Sequence, residues 1–167
     1  MNVTTTGERA ATWRTLRPWL GTAVRLGLAA VWLAAGFAKV GDLAASGRAV
    51  NAYQVMPYDV AKVIGAALPF VEIALGTLLL VGLATRVAAG ISAALLVVFV
   101  TGIVSAWSRG LAIDCGCFGS GGELAAGQSP SYAPEIARDV GFLLLAVFLL
   151  VWPLTRLSVD SFLERDQ

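Results

Sequence analysis

The sequence predicts an all-α, polytopic membrane protein built as a four-transmembrane-helix bundle. Two observations carry that prediction. Hydrophobic residues make up 57% of the chain against 14% charged, with a mean hydropathy of +0.77, whereas a soluble domain holds about 25% charged residues. Uncharged stretches of spanning length also recur, a bilayer core of roughly 30 Å needing about 20 apolar residues per helix. The 167 residues fit one domain. A net charge of +1 without a basic patch argues against nucleic acid as a partner and leaves the lipid bilayer. The absence of histidine removes the commonest metal ligand and acid–base group.

The first span is 19–40, interrupted only by Arg25 and Lys39. The second is 61–83, whose run from Val63 to Leu83 is broken only by Glu72. The third, 87–107, has no charge. The fourth, 136–157, extends the uncharged run Val140 to Leu154 back through Arg138 and Asp139, with its first turn at a membrane border. These spans form a membrane domain over 19–157, between tails at 1–18 and 158–167. Only Ala84, Thr85 and Arg86 part the second and third spans, so these form a tight antiparallel hairpin. Small residues four apart, Ala30 with Ala34 and Gly90 with Ala94, would allow close helix approach. In the loop Gly41 to Asp59, Val50, Tyr53, Val55 and Met56 with Arg48, Asn51 and Gln54 suggest a short interfacial helix ended by Pro57.

Orientation follows from Lys and Arg outside the spans. Arg9, Arg14, Arg17, Arg86, Arg156 and Arg165 share one side, against Arg48, Lys62 and Arg109 on the other. Both tails are therefore expected in the cytoplasm of a bacterium, with the protein in its inner membrane and the loop after the third span outside. The first span exceeds a signal-peptide core and reads as an uncleaved anchor.

That outer loop contains DCGCFG, residues 114–119, with the only two cysteines of the chain, Cys115 and Cys117. The intervening Gly116 relaxes the backbone toward the conformations that a very short disulfide ring demands. Strained, exposed disulfides are the labile, redox-active type, and so short a ring constrains the unfolded chain too little to be a staple. Apolar filler is a poor reading in a Gly/Ser-rich loop. Two sulfurs plus Asp114 make an incomplete zinc set, so no metal is expected. Inert loop residues are the remaining alternative to a redox pair on the oxidising side of the membrane.

Charges inside spans are costly and need a reason. Glu72 is central in its span, so it is protonated, paired or facing a polar cavity. Arg25 is long enough to reach toward it, making a structural ion pair the plain reading. Arg25, Trp32 and Lys39 recur every seven residues with Ala29 and Gly36 between them, a stripe expected to face the bundle. Lys39, at the outer border, is expected at the level of Arg138, Asp139 and the cysteine loop. Lys39 and Arg138 either reach for lipid headgroups or, with Asp114, tune the pair, since a nearby cation favours thiolate.

The hexapeptide DCGCFG before a span opening APEIARDVGFLLLAVFLL resembles the MauE branch of the DoxX-like membrane proteins. AAGFAKV, AYQVMP and LPFVEIALGTLLLVGL extend the resemblance over about residues 20–155. It implies a four-span inner-membrane protein. The founding member is associated with methylamine utilisation and with disulfide formation in, or export of, the small subunit of methylamine dehydrogenase. Relatives often accompany thioredoxin-like proteins. The resulting expectation is a thiol–disulfide component that exchanges electrons through Cys115 and Cys117 with an extracytoplasmic thioredoxin-like partner. One cysteine pair rules out an internal relay between two pairs, so either a quinone meets the pair directly, near Lys39, Glu72 and Arg138, or a second protein takes the next step. The alternatives are a membrane scaffold or assembly factor, indifferent to loss of the thiols, and a small-solute carrier built on Glu72 and Arg25.

Overall fold

The computed structural model describes residues 4–116, 121–124, 128–153, 155 and 158–163, with side chains from Leu16 to Phe162 among them. Six helices and one two-stranded ladder occur among those residues: α1 (Thr4–Val40), α2 (Leu43–Ala52), α3 (Tyr58–Val81), α4 (Thr85–Ser108), β1 (Ile113–Asp114), β2 (Gly122–Glu123), α5 (Tyr132–Val151) and α6 (Val159–Leu163). Three of them are long and apolar enough to cross a membrane, namely α1 from Leu16, α3 and α4. The chain is a mainly helical membrane protein. α5 has 20 residues but bears Glu135, Arg138 and Asp139 in its first two turns.

The helices expose large apolar side chains outward, Val63, Val87, Phe37 and Leu144 among them. In water such a surface would aggregate; in lipid it is the solvated face. The inner face is made of alanines and leucines around one tryptophan: Leu28, Ala29, Trp32, Leu75, Leu79, Ala88, Ala89, Leu96, Ala146 and Leu149 form one buried cluster drawn from α1, α3, α4 and α5. The stripe of Arg25, Ala29, Trp32, Gly36 and Lys39 is buried along its whole length, as the seven-residue spacing predicts.

α1 packs chiefly on α3, α4 chiefly on α5, and α2 lies across the start of α3. Close approach depends on glycines other than the expected pairs. A Cβ on Gly65 would sit 2.5 Å from the Ser46 carbonyl oxygen and 2.6 Å from the Gly47 Cα, so α2 and α3 touch backbone to backbone. A Cβ on Gly36 would lie 2.9 Å from the Pro69 carbonyl oxygen, which sets the α1–α3 crossing. Ala30 and Ala34 instead face outward. Gly90 does meet α5, at Leu150.

The turn between α3 and α4 is as tight as expected but lies at Gly82–Ala84. Gly82 closes α3 in the left-handed region (φ 73°), and its missing side chain leaves room for the Arg25 guanidinium. Ala84 offers α4 no side-chain cap. Asp160 of α6 supplies one, accepting from the backbone N–H of Ala84 at 2.8 Å and of Thr85 at 2.9 Å.

Two elements shift from their expected bounds. The helix expected over 136–157 runs Tyr132–Val151 and stops where Pro153 lacks the N–H that the next turn would need. The loop helix lies at Leu43–Ala52, well before Pro57, because Asp42 caps its start through the Ala45 N–H at 2.8 Å and Gln54 turns into the left-handed region (φ 51°).

Candidate functional site

The ends of α1, α2 and α4 and the starts of α3 and α5 meet on one side of the bundle, where β1 and β2 form a small hairpin. Ile113 pairs with Glu123 and Asp114 with Gly122. A second buried cluster of Ala52, Ile103, Ala106, Ile113 and Tyr132 holds this hairpin against the helices. The Tyr132 hydroxyl donates to the Leu111 carbonyl and accepts from the Ile113 N–H. Cys115 therefore stands on a braced loop, and Cys117 lies outside the described residues.

Gly116 adopts φ 69°, the left-handed region that glycine enters without penalty. Its N–H donates to Asp114 Oδ1 at 3.1 Å, while the Tyr53 hydroxyl donates to the Cys115 carbonyl at 3.1 Å. Arg138 Nη2 lies 3.5 Å from Cys115 Sγ, and Arg138 Nε donates to Asp139 Oδ1 at 2.9 Å. The buried Asp139 thus aims the guanidinium that meets the thiol.

Glu135 is the residue sequence reading missed. It hydrogen-bonds the Cys115 thiol, and its carboxylate, that of Asp114 and the thiol sulfur lie within 4.8 Å of one another. Burial, then the charge of Asp114, pushes the Glu135 carboxyl above the usual carboxylate range, against the opposing pull of Cys115 and Arg138. The signal was present in the spacing Glu135, Arg138, Asp139, which shares one helix face, but nothing local says that the face meets a loop some 20 residues upstream. A thiol and two carboxylates are a donor set for a cation, yet Arg138 already supplies positive charge at the sulfur. Chemically, a cation beside a sulfur favours its thiolate, and an ionised carboxylate beside a thiol can accept its proton.

Beneath the loop lie the intramembrane charges. Lys39 Nζ and Glu72 Oε1 are 2.5 Å apart, with both side chains at most 5% exposed. Glu72 therefore pairs with Lys39 rather than Arg25, and Lys39 turns inward instead of toward headgroups. Arg25 sits at the opposite end of the bundle, donating through Nη1 to the carbonyls of Leu79 at 2.6 Å and Leu80 at 3.1 Å. It closes the C-terminus of α3, whose last carbonyls have no partner within the helix. Arg25 is a brace remote from the cysteine loop.

Glu72 and Asp139 line one small cavity of about 20 Å³ with Trp32, Leu96, Phe99 and Phe142. Glu72 Oε2 and Trp32 Nε1 have no hydrogen-bond partner among the described residues. The space is about that of one water. A larger cavity of about 210 Å³ lies on the other side of Phe99, lined by Lys39, Tyr53, Cys115 and apolar residues of α2, α3 and α4. Lys39, Glu72, Asp114, Cys115, Arg138 and Asp139 thus form one continuous zone, joined by Glu135 and Tyr53.

No curated protein and no solved structure significantly matches the chain. A family model described as methylamine utilisation protein MauE matches residues 17–152. That interval includes the cysteine loop and every charged residue of the zone. The chain therefore belongs to the MauE family.

Proposed function

We propose that the protein is a multi-pass component of the bacterial inner membrane in an extracytoplasmic thiol–disulfide redox system. Its Cys115/Cys117 pair exchanges electrons with a thioredoxin-like protein through a mixed disulfide. The observation that carries this reading is the Arg138 guanidinium 3.5 Å from Cys115 Sγ with Glu135 hydrogen-bonded to the same thiol. A cation and an acceptor at one cysteine raise the thiolate supply on which exchange depends. The family description names methylamine utilisation, and in this reading the protein serves an exported enzyme of the methylamine dehydrogenase type.

In this reading α5 is the fourth span. The 16 residues from Ile136 to Val151 reach about 24 Å at 1.5 Å per residue, most of a core of roughly 30 Å, and Leu144 and Val147 expose apolar side chains outward. The first turn, with Glu135, stays outside the border, and both tails face the cytoplasm, as the distribution of Lys and Arg suggests.

The test is a redox titration of the two thiols in native membranes, trapped with a membrane-impermeant alkylating reagent. Reversible cycling, labelled from outside, is the expected result. Permanently reduced, unreactive thiols would overturn it and leave a scaffold or assembly factor as the better account. In a Cys117→Ser background, Arg138→Gln is expected to slow alkylation of Cys115 about tenfold at neutral pH, because loss of a neighbouring cation lowers the thiolate fraction.

A further inference from the structure

We infer that the 210 Å³ cavity between Lys39 and Cys115 is a binding site for a membrane quinone, the two-electron partner of the cysteine pair. This rests on the thiol–disulfide reading and adds the destination of the electrons. Three independent features of the cavity carry it.

The first is its mouth. α3 and α4 are joined by a tight turn at one end yet pack little on each other, so they part toward the end that bears the cysteine loop. Ile64 of α3 and Val98 of α4 line the cavity while being 42% and 61% exposed on the lipid-facing surface. An occupant therefore enters from the bilayer and is itself lipid-soluble. The second is shape. A dry cavity of roughly 150 Å³ takes up benzene, so this one admits a six-membered ring with small substituents, its tail leaving between Ile64 and Val98. The third is its polar content. The Lys39 ammonium, buried and held by Glu72, retains N–H groups beyond the one used in that pair and can donate to a carbonyl oxygen. Cys115 also lines the cavity. An acyl chain would use none of this polarity. A quinone uses both, the cation at a carbonyl and the sulfur as reductant.

The step balances without a further reagent. A dithiol protein reduces the Cys115–Cys117 disulfide through a mixed disulfide and leaves as a disulfide itself. The resulting dithiol then passes two electrons and its two protons to the quinone; the S–S bond re-forms and quinol departs into the bilayer.

The test uses the full chain in phospholipid nanodiscs, reduced with dithiothreitol, freed of it, and mixed anaerobically with decylubiquinone. Expected is formation of one quinol per chain, with the thiols becoming resistant to alkylation. Val98→Trp at the mouth is expected to slow quinol formation by about a hundredfold, the scale of loss when a reacting ring is held out of position. Val104→Trp, lipid-facing on the same helix but outside the cavity, controls for folding and is expected to react like the parent. If the pair exchanges with dithiothreitol but does not reduce decylubiquinone, the quinone site is overturned and the thiol reading stands. Should neither reagent react, the thiol reading itself fails. Equal rates in the two tryptophan variants would make the cavity a lipid groove and overturn the assignment.

Discussion

At the residue scale, the chemistry around Cys115 depends on which group holds a proton at a given pH. Only an ionised Glu135 can accept the thiol proton, and burial together with Asp114 keeps Glu135 protonated to higher pH than an ordinary glutamate. The alkylation rate of Cys115 should therefore rise with pH along a limb that begins above the usual carboxylate range. Glu135→Gln should abolish that limb and leave only the rise due to the thiol itself; an unchanged profile in stopped-flow alkylation would remove Glu135 from the role of base. Arg138 and Asp139 act as a unit here, since the buried carboxylate fixes Nε and so directs the remaining guanidinium nitrogens toward sulfur. DCGCFG was legible as the candidate stretch because its composition contrasts with everything around it. Glu135 was not, because its role arises from a contact between a helix and a loop distant in sequence.

At the element scale, the helices follow from apolar run length, and their ends follow from local chemistry. Pro153 ends α5, Gly82 ends α3, and Asp42 starts α2. The start of α4 is different, because its cap comes from Asp160, distant in sequence. Asp160→Ala should cost about 1 kcal/mol, the usual value of a lost N-cap, read as a lowered unfolding temperature in detergent. Asp160→Asn should recover about half of it, since its one amide oxygen can accept from only one of the two N–H groups that Oδ1 and Oδ2 now take; no recovery at all would mean that Asp160 acts through its charge rather than as a cap. The interfacial helix was expected near its true position but too late in sequence. Its apolar pattern continues past Ala52, where a left-handed turn at Gln54 has already ended it.

At the scale of the whole molecule, a buried ion pair joins α1 to α3 below the reactive loop. Lys39 Nζ and Glu72 Oε1 pair with both side chains buried. Removing one partner leaves an unpaired buried charge, which costs about 3–5 kcal/mol, whereas replacing both with apolar residues is often nearly neutral. Lys39→Met and Glu72→Met should each lower thermal stability strongly, and the double variant should be more stable than either. A double variant as unstable as the sum of the two would show that the residues act separately. In the nanodisc assay the same double variant should reduce decylubiquinone poorly despite its recovered stability, since the cation at the cavity is gone.

The sequence by itself determined the class of the molecule, the three helices long and apolar enough to cross a membrane and the inward stripe of α1. Each of these depends on composition and on spacing along one helix, and both are local. The partners of the charges were decided only by tertiary structure. Arg25 and Lys39 lie on the same face of α1, and either is long enough to reach a carboxylate. Which one reaches Glu72 depends on the crossing of α1 and α3, set by the backbone contact at Gly36. That crossing brings Lys39 to Glu72, leaves Arg25 beside the last carbonyls of α3, and opens the cavity beneath Cys115.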